Sequence, residues 1–487
     1  MTGISRRQVV GGGSALLVGT GLADVAVAAP ASPSRLRTDV CIVGAGFAGL
    51  SAAHRLSQAG AKVIVLEARN RVGGRSWTVS HKDGAWVDYG GQWVGPTQDA
   101  ILALIKEMGG ETYPTPNFGK TLQRAISKAD EYYRLEGDGD NSHPDAGIAN
   151  AAFALVDKLA GEMDPAAPWS HPDAERLDSI TLAEWMRQSF DSADVRRYLA
   201  SEVGSVPCAS PEEISMLQLC WLIRACNGLK MLFSDEGGAQ QDRVIGGTQP
   251  VARRLAQRLG GAIKTGQPVR RIEWREHGAI VYSDQLRVAA RHVIVAIPPH
   301  LAGAIEYDPS PPTRRVQVTQ RWPQGLAIKV QMIYREPFWR QDGLNGTSYD
   351  HISPMGETAD SGVPARYSQS GILTGFVYAD HARKVSLLPA AERKKLLLGE
   401  VAKRFGPKAL EPVSYHELNW SMQQWTRGCF TGFLTPGATV LFNSAVRDPV
   451  GPLHWGGTET ATAWPSFIDG AVRSGQRAAD EIIKIRG

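Results

Sequence analysis

The sequence has few cysteines, and their arrangement argues against two kinds of architecture. Five cysteines occur among 487 residues, and no two of them form a CxxC pair. An odd number without that spacing argues against a disulfide framework and against a structural zinc site. Cys41 lies in an apolar run and is expected to be a small buried core residue. Cys429, between Gly428 and Phe430, lies in a segment with the character of a loop.

The chain also lacks a strong excess of either charge. It has 53 basic and 49 acidic residues, a formal net charge of +4, 21% charged residues and 43% hydrophobic residues. These values are typical of a soluble globular protein, and they do not suggest a disordered chain or a nucleic-acid-binding protein. No histidine cluster with metal-ligand spacing, GxSxG elbow or paired-acid motif is present, so neither a metal site nor a hydrolase is supported.

The N-terminus is the one segment that predicts targeting. Residues 5–10 (SRRQVV) precede a Gly/Ala/Leu/Val stretch and a small-residue region, which is typical of a twin-arginine signal over residues 1–29, cleaved near Ala28 or Ala29. Glycines and Asp24 make it poorly apolar for a bilayer span, although a disordered or membrane-anchoring leader is the alternative. We expect export by the twin-arginine translocase to the periplasm or medium, with no stable membrane span in the mature chain.

The next segment predicts a dinucleotide-binding unit. An apolar strand leads into Gly44-Ala45-Gly46-Phe47-Ala48-Gly49, a helix follows over residues 50–59, and a second strand ends at Glu67. In such a βαβ unit the first glycine allows the turn and the second lets the backbone approach a pyrophosphate. The third glycine allows close helix packing. Glu67 would accept hydrogen bonds from the ribose hydroxyls. A lone GxGxxG is weak evidence, but the preceding strand and the following acid make an ordinary turn a poor explanation.

The length of the chain predicts two interlocked domains, because one ordinary core does not grow to this size. Strands are predicted over residues 288–297 and 326–334, a polar hairpin over 271–287, and helices over 148–162, 214–226 and 391–405. We expect a cofactor domain made of separated pieces and a substrate domain made of the inserts between them. The predicted boundaries are 36–113, 241–315 and 423–487 for the former, and 114–240 and 316–422 for the latter.

Three further segments carry a resemblance to a known family. They are residues 69–75 (RNRVGGR), 87–98 (VDYGGQWVGPTQ) and 456–464 (GGTETATAW). Together they closely resemble the flavin monoamine oxidase family, over about residues 39–483. The resemblance implies an α/β fold of the glutathione-reductase-like FAD type, in which a Rossmann-like FAD-binding domain of discontinuous segments accompanies an α+β substrate domain.

The resemblance also implies a cofactor site for FAD. The segment with Arg75 would wrap the pyrophosphate, where a forked guanidinium suits phosphate. Glu459 would bind the ribityl or phosphate part, and Cys429 would carry a thioether bond to the flavin 8α carbon, with a free buried thiol as the alternative. The expected cofactor-binding residues are Gly44, Gly46, Phe47, Ala48, Gly49, Glu67, Arg69, Gly74, Arg75, Gly91, Gln92, Trp93, Val269, Trp425, Cys429, Glu459 and Ile468. For Trp420 and Trp425, core packing is an equal alternative to cofactor contact.

Three residues are expected at the catalytic face. Lys329 resembles the family lysine that holds a water against flavin N5, although in isolation the pattern fits a snorkelling surface lysine equally well. Phe430 and Phe467 stand where relatives often carry two tyrosines around the substrate amine. Arg427 is a further departure, because relatives often have glycine there. The helix predicted from Pro465 would direct its N-terminus at the flavin.

The resemblance predicts oxidation of a small amine to an imine and then to an aldehyde or ketone, with dioxygen reduced to hydrogen peroxide. An L-amino-acid oxidase, or another amine dehydrogenase or desaturase on this fold, is one alternative, and a pocket arginine would favour amino acids. A non-catalytic exported flavin protein is another. The sequence gives neither the amine nor the oligomeric state, for which a homodimer is one option.

Overall fold

A computed structural model describes residues 34–128, 130–136 and 140–486. The predicted twin-arginine signal lies outside the described residues. None of the helices within these ranges combines the length and the apolar character that a membrane crossing requires.

The described residues form strands and helices in mixed order. The strands are β1 (Ser34–Val43), β2 (Val63–Leu66), β3 (Thr78–Ser80), β4 (Trp86–Asp88), β5 (Trp93–Val94), β6 (Thr112–Pro114), β7 (Lys120–Arg124), β8 (Tyr132–Leu135), β9 (Asp242–Val244), β10 (Ile263–Lys264), β11 (Val269–Arg275), β12 (Gly278–Ser283), β13 (Leu286–Val295), β14 (Glu306–Asp308), β15 (Ala327–Tyr334), β16 (Leu344–Tyr349), β17 (Glu357–Asp360), β18 (Gly371–Tyr378), β19 (Ser414–Asn419) and β20 (Leu453–Trp455). The helices are α1 (Phe47–Gln58), α2 (Asp99–Glu107), α3 (Ala146–Gly161), α4 (Ala174–Ser179), α5 (Leu182–Ser189), α6 (Ala193–Ser205), α7 (Met216–Ala225), α8 (Leu229–Phe233), α9 (Gln249–Leu259), α10 (Pro299–Ala302), α11 (Thr313–Gln320), α12 (Ala379–Ser386), α13 (Ala390–Phe405), α14 (Ala438–Phe442) and α15 (Ile468–Arg486).

The first large sheet gathers strands from distant parts of the chain. Its order is β10-β2-β1-β13-β12-β11-β14, and β20 pairs with β13. The strands β2, β1, β13 and β20 are parallel, and the inner end of β1 is fully buried, as expected for a sheet covered on both faces. Because β1 ends at Val43, the glycine turn that follows lies at the carboxyl edge of this sheet.

Two helices cover this edge at very close range. A Cβ atom at Gly475 of α15 would lie 2.0 Å from the carbonyl oxygen of Ala48 in α1, and one at Gly49 would lie 1.9 Å from that of Gly44. Real side chains do not approach backbone so closely, so only glycine lets these segments meet. The third glycine of the turn therefore packs the helix against the strand, as predicted.

The second large sheet is built from both inserts. Its order is β19-β15-β18-β17-β16-β7-β8, so β7 and β8 of the first insert join β15 to β19 of the second. Helices α3 to α7 form a separate apolar core around Leu217 and Trp221. The sheets divide the chain much as the sequence suggests, while the domain boundaries themselves stay a prediction.

Two helices begin later than the sequence predicts. The sequence predicts the terminal helix from Pro465, but α15 begins at Ile468. Trp464 and Ser466 both have a positive φ, of 53° and 72°, which a right-handed helix cannot include. The predicted helix from residue 214 likewise begins at Met216, because the Ser215 hydroxyl caps it by accepting the Gln218 N–H at 3.1 Å.

Candidate active site

Two connected cavities lie between the sheets. The first, of about 270 Å³, is at the carboxyl edge of the first sheet, and the second, of about 210 Å³, lies against the second sheet. They share six lining residues, which are Arg75, Gly91, Phe430, Ser466, Phe467 and Ile468. An elongated ligand could therefore extend from one cavity into the other.

The first cavity contains the glycine turn. Gly44 has φ +98°, and a Cβ there would lie 2.9 Å from the carbonyl oxygen of Ala296, so the turn requires glycine. Gly46 lies at the N-terminus of α1, where free N–H groups and the helix dipole favour an anion. Glu67 lines the same cavity and is fixed by the N–H groups of Ala45 and Arg69, each at 2.8 Å. A ribose hydroxyl could still bind to it, because each carboxylate oxygen accepts more than one hydrogen bond.

A second glycine turn abuts the first. Gly73 and Gly74 have φ of +104° and +58°, and a Cβ at Gly74 would lie 3.2 Å from the Cα of Gly46. The two turns together make a surface of bare backbone next to the N-terminus of α1. Such a surface admits a phosphate group at backbone distance.

Arg75 follows the second turn and reaches across the site. Its Nη1 donates to Glu459 Oε1 at 2.8 Å and to the carbonyl oxygen of Phe430 at 2.8 Å. It also lies 3.3 Å from Gln324 Oε1. Arg75 therefore links the glycine turn to the chain around residue 430, in addition to facing both cavities.

Glu459 lies behind the first cavity and does not line it. Its side chain is buried, and Gln324 Nε2 donates to Oε1 at 3.0 Å. Burial raises its pKa, but the charge and hydrogen bond of Arg75 and the bond from Gln324 outweigh burial, so the pKa is below its usual value. Its Oε2 is buried with no hydrogen-bond partner among the described residues, and it lies 3.2 Å from the Cβ position of Gly457, which lines the first cavity.

Lys329 lies in the second cavity, on β15. Its Nζ donates to the carbonyl oxygen of Gly90 at 2.8 Å and to Gln92 Oε1 at 2.6 Å. The rings of Trp93 and Phe376 lie 5.5 and 5.4 Å from it. Burial lowers its pKa to about 7, with Arg243 acting in the same direction and Asp88 and Glu357 opposing. The lysine is 4% exposed, so it is not a snorkelling surface residue.

The two predicted phenylalanines flank the junction of the cavities. Phe430 and Phe467 both line both cavities, and Phe467 packs edge-on against Trp464 with ring centroids 4.9 Å apart. Phe430 is 36% exposed. The first residue of α15, Ile468, also lines both cavities, so the N-terminus of that helix lies at their junction, and its direction toward a flavin stays a prediction.

Cys429 lines the second cavity and is 1% exposed. Its carbonyl oxygen lies 3.4 Å from Arg75 Nη1, and its N–H donates to Gly325 at 2.8 Å. Arg427 has φ 49°, which is in the left-handed region that glycine adopts most easily.

The structure brings most of the predicted residues to the two cavities. Those lining the first are Gly44, Gly46, Phe47, Ala48, Glu67, Arg69, Gly74, Arg75, Gly91, Val269, Trp425 and Ile468, and those lining only the second are Gln92, Trp93, Lys329 and Cys429. Gly49 and Glu459 line neither cavity. Gly49 packs α1 against the glycine turn, and Glu459 forms an ion pair with Arg75. Trp420 lines the second cavity and donates to the carbonyl oxygen of Tyr89 at 2.8 Å.

Sequence reasoning missed the acidic residues of the second cavity. Glu202, Asp235 and Glu357 all line it, together with Tyr378. Glu202 belongs to an amphipathic helix and Glu357 to a short strand, and neither position is part of a motif. The sequence carried no local signal for them, because only packing of the two inserts brings them together.

The residues present fit an FAD molecule. Two glycine turns form a phosphate-sized surface at a helix N-terminus, and Glu67 lies at the end of the second parallel strand. The buried, unpartnered Oε2 of Glu459 is a hydrogen-bond acceptor next to Gly457, which lines the first cavity. These features suit a dinucleotide with its hydroxyl-bearing linker, and the connected second cavity leaves room for a ring system and a small substrate.

Known proteins share this architecture. A family model described as flavin containing amine oxidoreductase matches residues 47–483. Flavin-containing amine oxidase A of Equus caballus is 35% identical over 455 residues, covering 92% of this chain and 85% of that protein. An L-amino acid dehydrogenase of Synechocystis is 35% identical over 454 residues, with 91% and 94% covered. A solved structure of putrescine oxidase bound to putrescine has a TM-score of 0.88 at 36% identity, with 93% and 100% covered. These matches confirm the predicted fold class and the resemblance.

Proposed function

The chain belongs to the flavin-containing amine oxidoreductase family, and from that premise we propose how its residues divide the work. It is an FAD-dependent amine oxidase, which oxidises an amine with dioxygen as the acceptor. In our proposal the dinucleotide part of FAD occupies the first cavity, and the ring system lies where the two cavities meet. The observation that supports this most is that Lys329, Phe430 and Phe467 all lie at or beside that junction.

When bound, FAD would supply the group that accepts a hydride from the amine and then passes the two electrons to dioxygen. The faces of Phe430 and Phe467 orient the substrate, although they attract a cation less than tyrosine and have no hydroxyl to donate. Lys329, held by Gly90 and Gln92, positions a water and places a cation near the reacting atoms. The N-terminus of α15 adds a partial positive charge. The buried cavity limits bulk water, and the imine product is hydrolysed to an aldehyde or ketone.

An L-amino-acid oxidase is the second candidate, because a dehydrogenase of L-amino acids is among the similar proteins. Among the described residues that line the second cavity, Arg75 is the one arginine, and it is occupied by Glu459. A substrate carboxylate would also meet Glu202 and Glu357. The cavity therefore favours an amine without a carboxylate. Peroxide release from amines but not from L-amino acids would support this, and no peroxide from any amine would favour a redox carrier.

We further propose that the Cys429 sulfur forms a thioether with the flavin 8α carbon, in which the S–H bond and one C–H bond of the methyl group are broken and dioxygen takes up the two electrons and two protons as hydrogen peroxide. The Cys429 thiol lines the second cavity close to Phe430, at the predicted position of the flavin ring. Denatured wild-type protein is expected to keep its yellow colour on a filter, with an intact mass increased by one FAD. Cys429→Ala should release all its FAD into the filtrate. Cys226→Ala, which alters another buried cysteine of the same cavity, should behave as wild type. Release of free FAD from the wild type would contradict the proposed thioether, but it would not contradict the proposal that the protein is an amine oxidase.

Export remains a separate proposal that rests on residues 5–10 and the small-residue region after them. Replacing Arg6 and Arg7 by lysine should leave the protein uncleaved in the cytoplasm, whereas the wild type should accumulate outside it in a shortened form. Cell fractionation followed by N-terminal sequencing measures both effects. Equal distribution of the two proteins would contradict a twin-arginine signal.

A further inference from the structure

Two of the five cysteines lie side by side next to the second cavity. Cys208, which comes just after α6, and Cys429 belong to one small buried cluster, which Ala327 of β15 completes. The cysteines that belong to other apolar clusters are Cys41, Cys220 and Cys226. The structure describes all five cysteines, and none of them is in a disulfide. Cys208 is therefore the one cysteine that is packed with Cys429.

The backbone holds both cysteines against the same two adjacent residues, Gly325 and Leu326. The Cys429 N–H donates to the carbonyl oxygen of Gly325, and the Leu326 N–H donates to that of Cys208, both at 2.8 Å. A Cβ atom at Gly325 would lie 2.8 Å from the Cβ of Cys208, so the segment passes directly against this cysteine. The two thiols are close enough to form a hydrogen bond with each other. The fold therefore places them together before any bond forms between them.

The two cysteines differ in their access to small molecules. Cys429 lines the second cavity, whereas Cys208 does not line it and is fully buried. Burial raises the pKa of the Cys208 thiol, and the hydrogen bond and the charge of Cys429 act in the same direction. Cys208 therefore stays a neutral thiol, and an oxidant that enters the cavity meets Cys429 first. A cysteine that reacts first and a second thiol beside it are the two parts that disulfide formation by peroxide requires.

We propose that Cys429, when it is not bonded to flavin, is oxidised by hydrogen peroxide and then forms a disulfide with Cys208. In the first step, the Cys429 thiol and hydrogen peroxide give a sulfenic acid and one water. In the second step, the Cys208 sulfur attacks the sulfenic sulfur, the S–S bond forms, and the hydroxyl group leaves with the Cys208 proton as a second water. The two thiols lose two electrons, which the peroxide accepts. The source of the peroxide rests on the proposed function, because oxidation of an amine with dioxygen releases it.

The disulfide and the flavin thioether exclude each other, because both use the one sulfur atom of Cys429. A molecule with the disulfide binds FAD without a covalent bond until a reductant opens the disulfide. The disulfide also protects Cys429, because a sulfenic acid without a neighbouring thiol is oxidised further to sulfinic and sulfonic acids, which thiol reductants do not reverse. Cys208 therefore keeps the residue that attaches the flavin in a recoverable state.

Peroxide treatment of the full chain from riboflavin-limited cells tests this proposal, because Cys429 carries no flavin there. The intact mass of the wild type should fall by two hydrogen atoms, and peptide mapping without reductant should find Cys208 joined to Cys429. FAD should then attach covalently only after treatment with dithiothreitol. Cys208→Ala should instead gain oxygen atoms at Cys429, and dithiothreitol should not restore attachment. Cys226→Ala, which changes another buried cysteine of the second cavity, should behave as the wild type.

The outcomes separate the disulfide from the thioether and from the oxidase. Two free thiols after peroxide treatment, a sulfinic acid at Cys429 of the wild type, or a disulfide that joins other cysteines would each overturn the proposal. If the wild type never attached FAD covalently, the thioether would fail, and the change in mass and the linked peptide would still test the disulfide. An unchanged circular dichroism spectrum and melting temperature show that each variant is folded.

The purified holoenzyme gives a second measurement that does not depend on the flavin-free chain. After aerobic turnover with an amine, molecules that carry FAD on Cys429 should have Cys208 as a free thiol, which alkylation in denaturant followed by mass spectrometry detects. Molecules without bonded FAD should contain the disulfide between Cys208 and Cys429. A blocked Cys208 in the first population, or two free thiols in the second, would contradict the proposal.

Discussion

Replacing Arg75 with alanine is expected to lower the free energy of unfolding by about 3 to 5 kcal/mol and to abolish tight binding of FAD. The side chain of Glu459 is 1% exposed, and Arg75 lies 2.8 Å from it. Without the guanidinium, a carboxylate would be left in the interior with only Gln324 as a donor to it. The carbonyl oxygen of Phe430 would lose a partner as well. The change therefore acts at once on the protein core and on the junction of the cavities.

Denaturant unfolding and the FAD content of the same variants as purified test this prediction. The double variant Arg75→Met with Glu459→Gln should regain most of the lost stability, because no buried charge is left unpaired. Arg55→Ala removes an exposed ion pair with Asp480 and should cost less than about 1 kcal/mol. Stability of Arg75→Ala within about 1 kcal/mol of the wild type would show that Glu459 does not depend on this pair.

Replacing Lys329 with methionine is expected to slow reoxidation of the reduced enzyme by dioxygen about 100- to 1000-fold, which is typical when a buried charge near reacting atoms is removed. Reduction of the enzyme by amine should change much less, because the two phenylalanines and the junction remain. Methionine keeps the length of the side chain and removes its charge and its hydrogen bonds to Gly90 and Gln92. Stopped-flow measurement of the two half-reactions separates the effects.

The wild-type reoxidation rate should also depend on pH in a definite direction. Burial lowers the pKa of Lys329 to about 7, so the side chain carries its charge below that pH and loses it above. The rate should therefore fall as the pH rises through about 7, and Lys329→Met should show no such step. Lys395→Met, an exposed residue of α13, is the control for loss of a lysine. An unchanged reoxidation rate in Lys329→Met would show that the lysine takes no part in the reaction with dioxygen.

Sequence reasoning was most successful where all the residues that a binding feature requires lie in one short segment. The turn at Gly44, the N-terminus of α1 and the carboxylate of Glu67 all belong to a single βαβ unit. Their spacing in the sequence is therefore enough to predict that they lie close together. The second glycine turn before Arg75 has the same property. Lys329 was harder, because an apolar strand with one lysine fits a snorkelling surface residue until the strands on both sides are known.

The order of residues is enough to predict the cofactor end of this protein, because its turns require glycine at fixed positions within short segments. At the substrate end, Lys329, Phe430 and Phe467 were recognisable from the family resemblance, whereas the acidic residues of the second cavity follow only from the tertiary structure. The acidic residues of the second cavity come from different inserts, Glu202 from α6 and Glu357 from β17, and nothing near Glu202 specifies Glu357 as its neighbour. Charge repulsion and burial act through space, so their consequences appear only once the chain has folded.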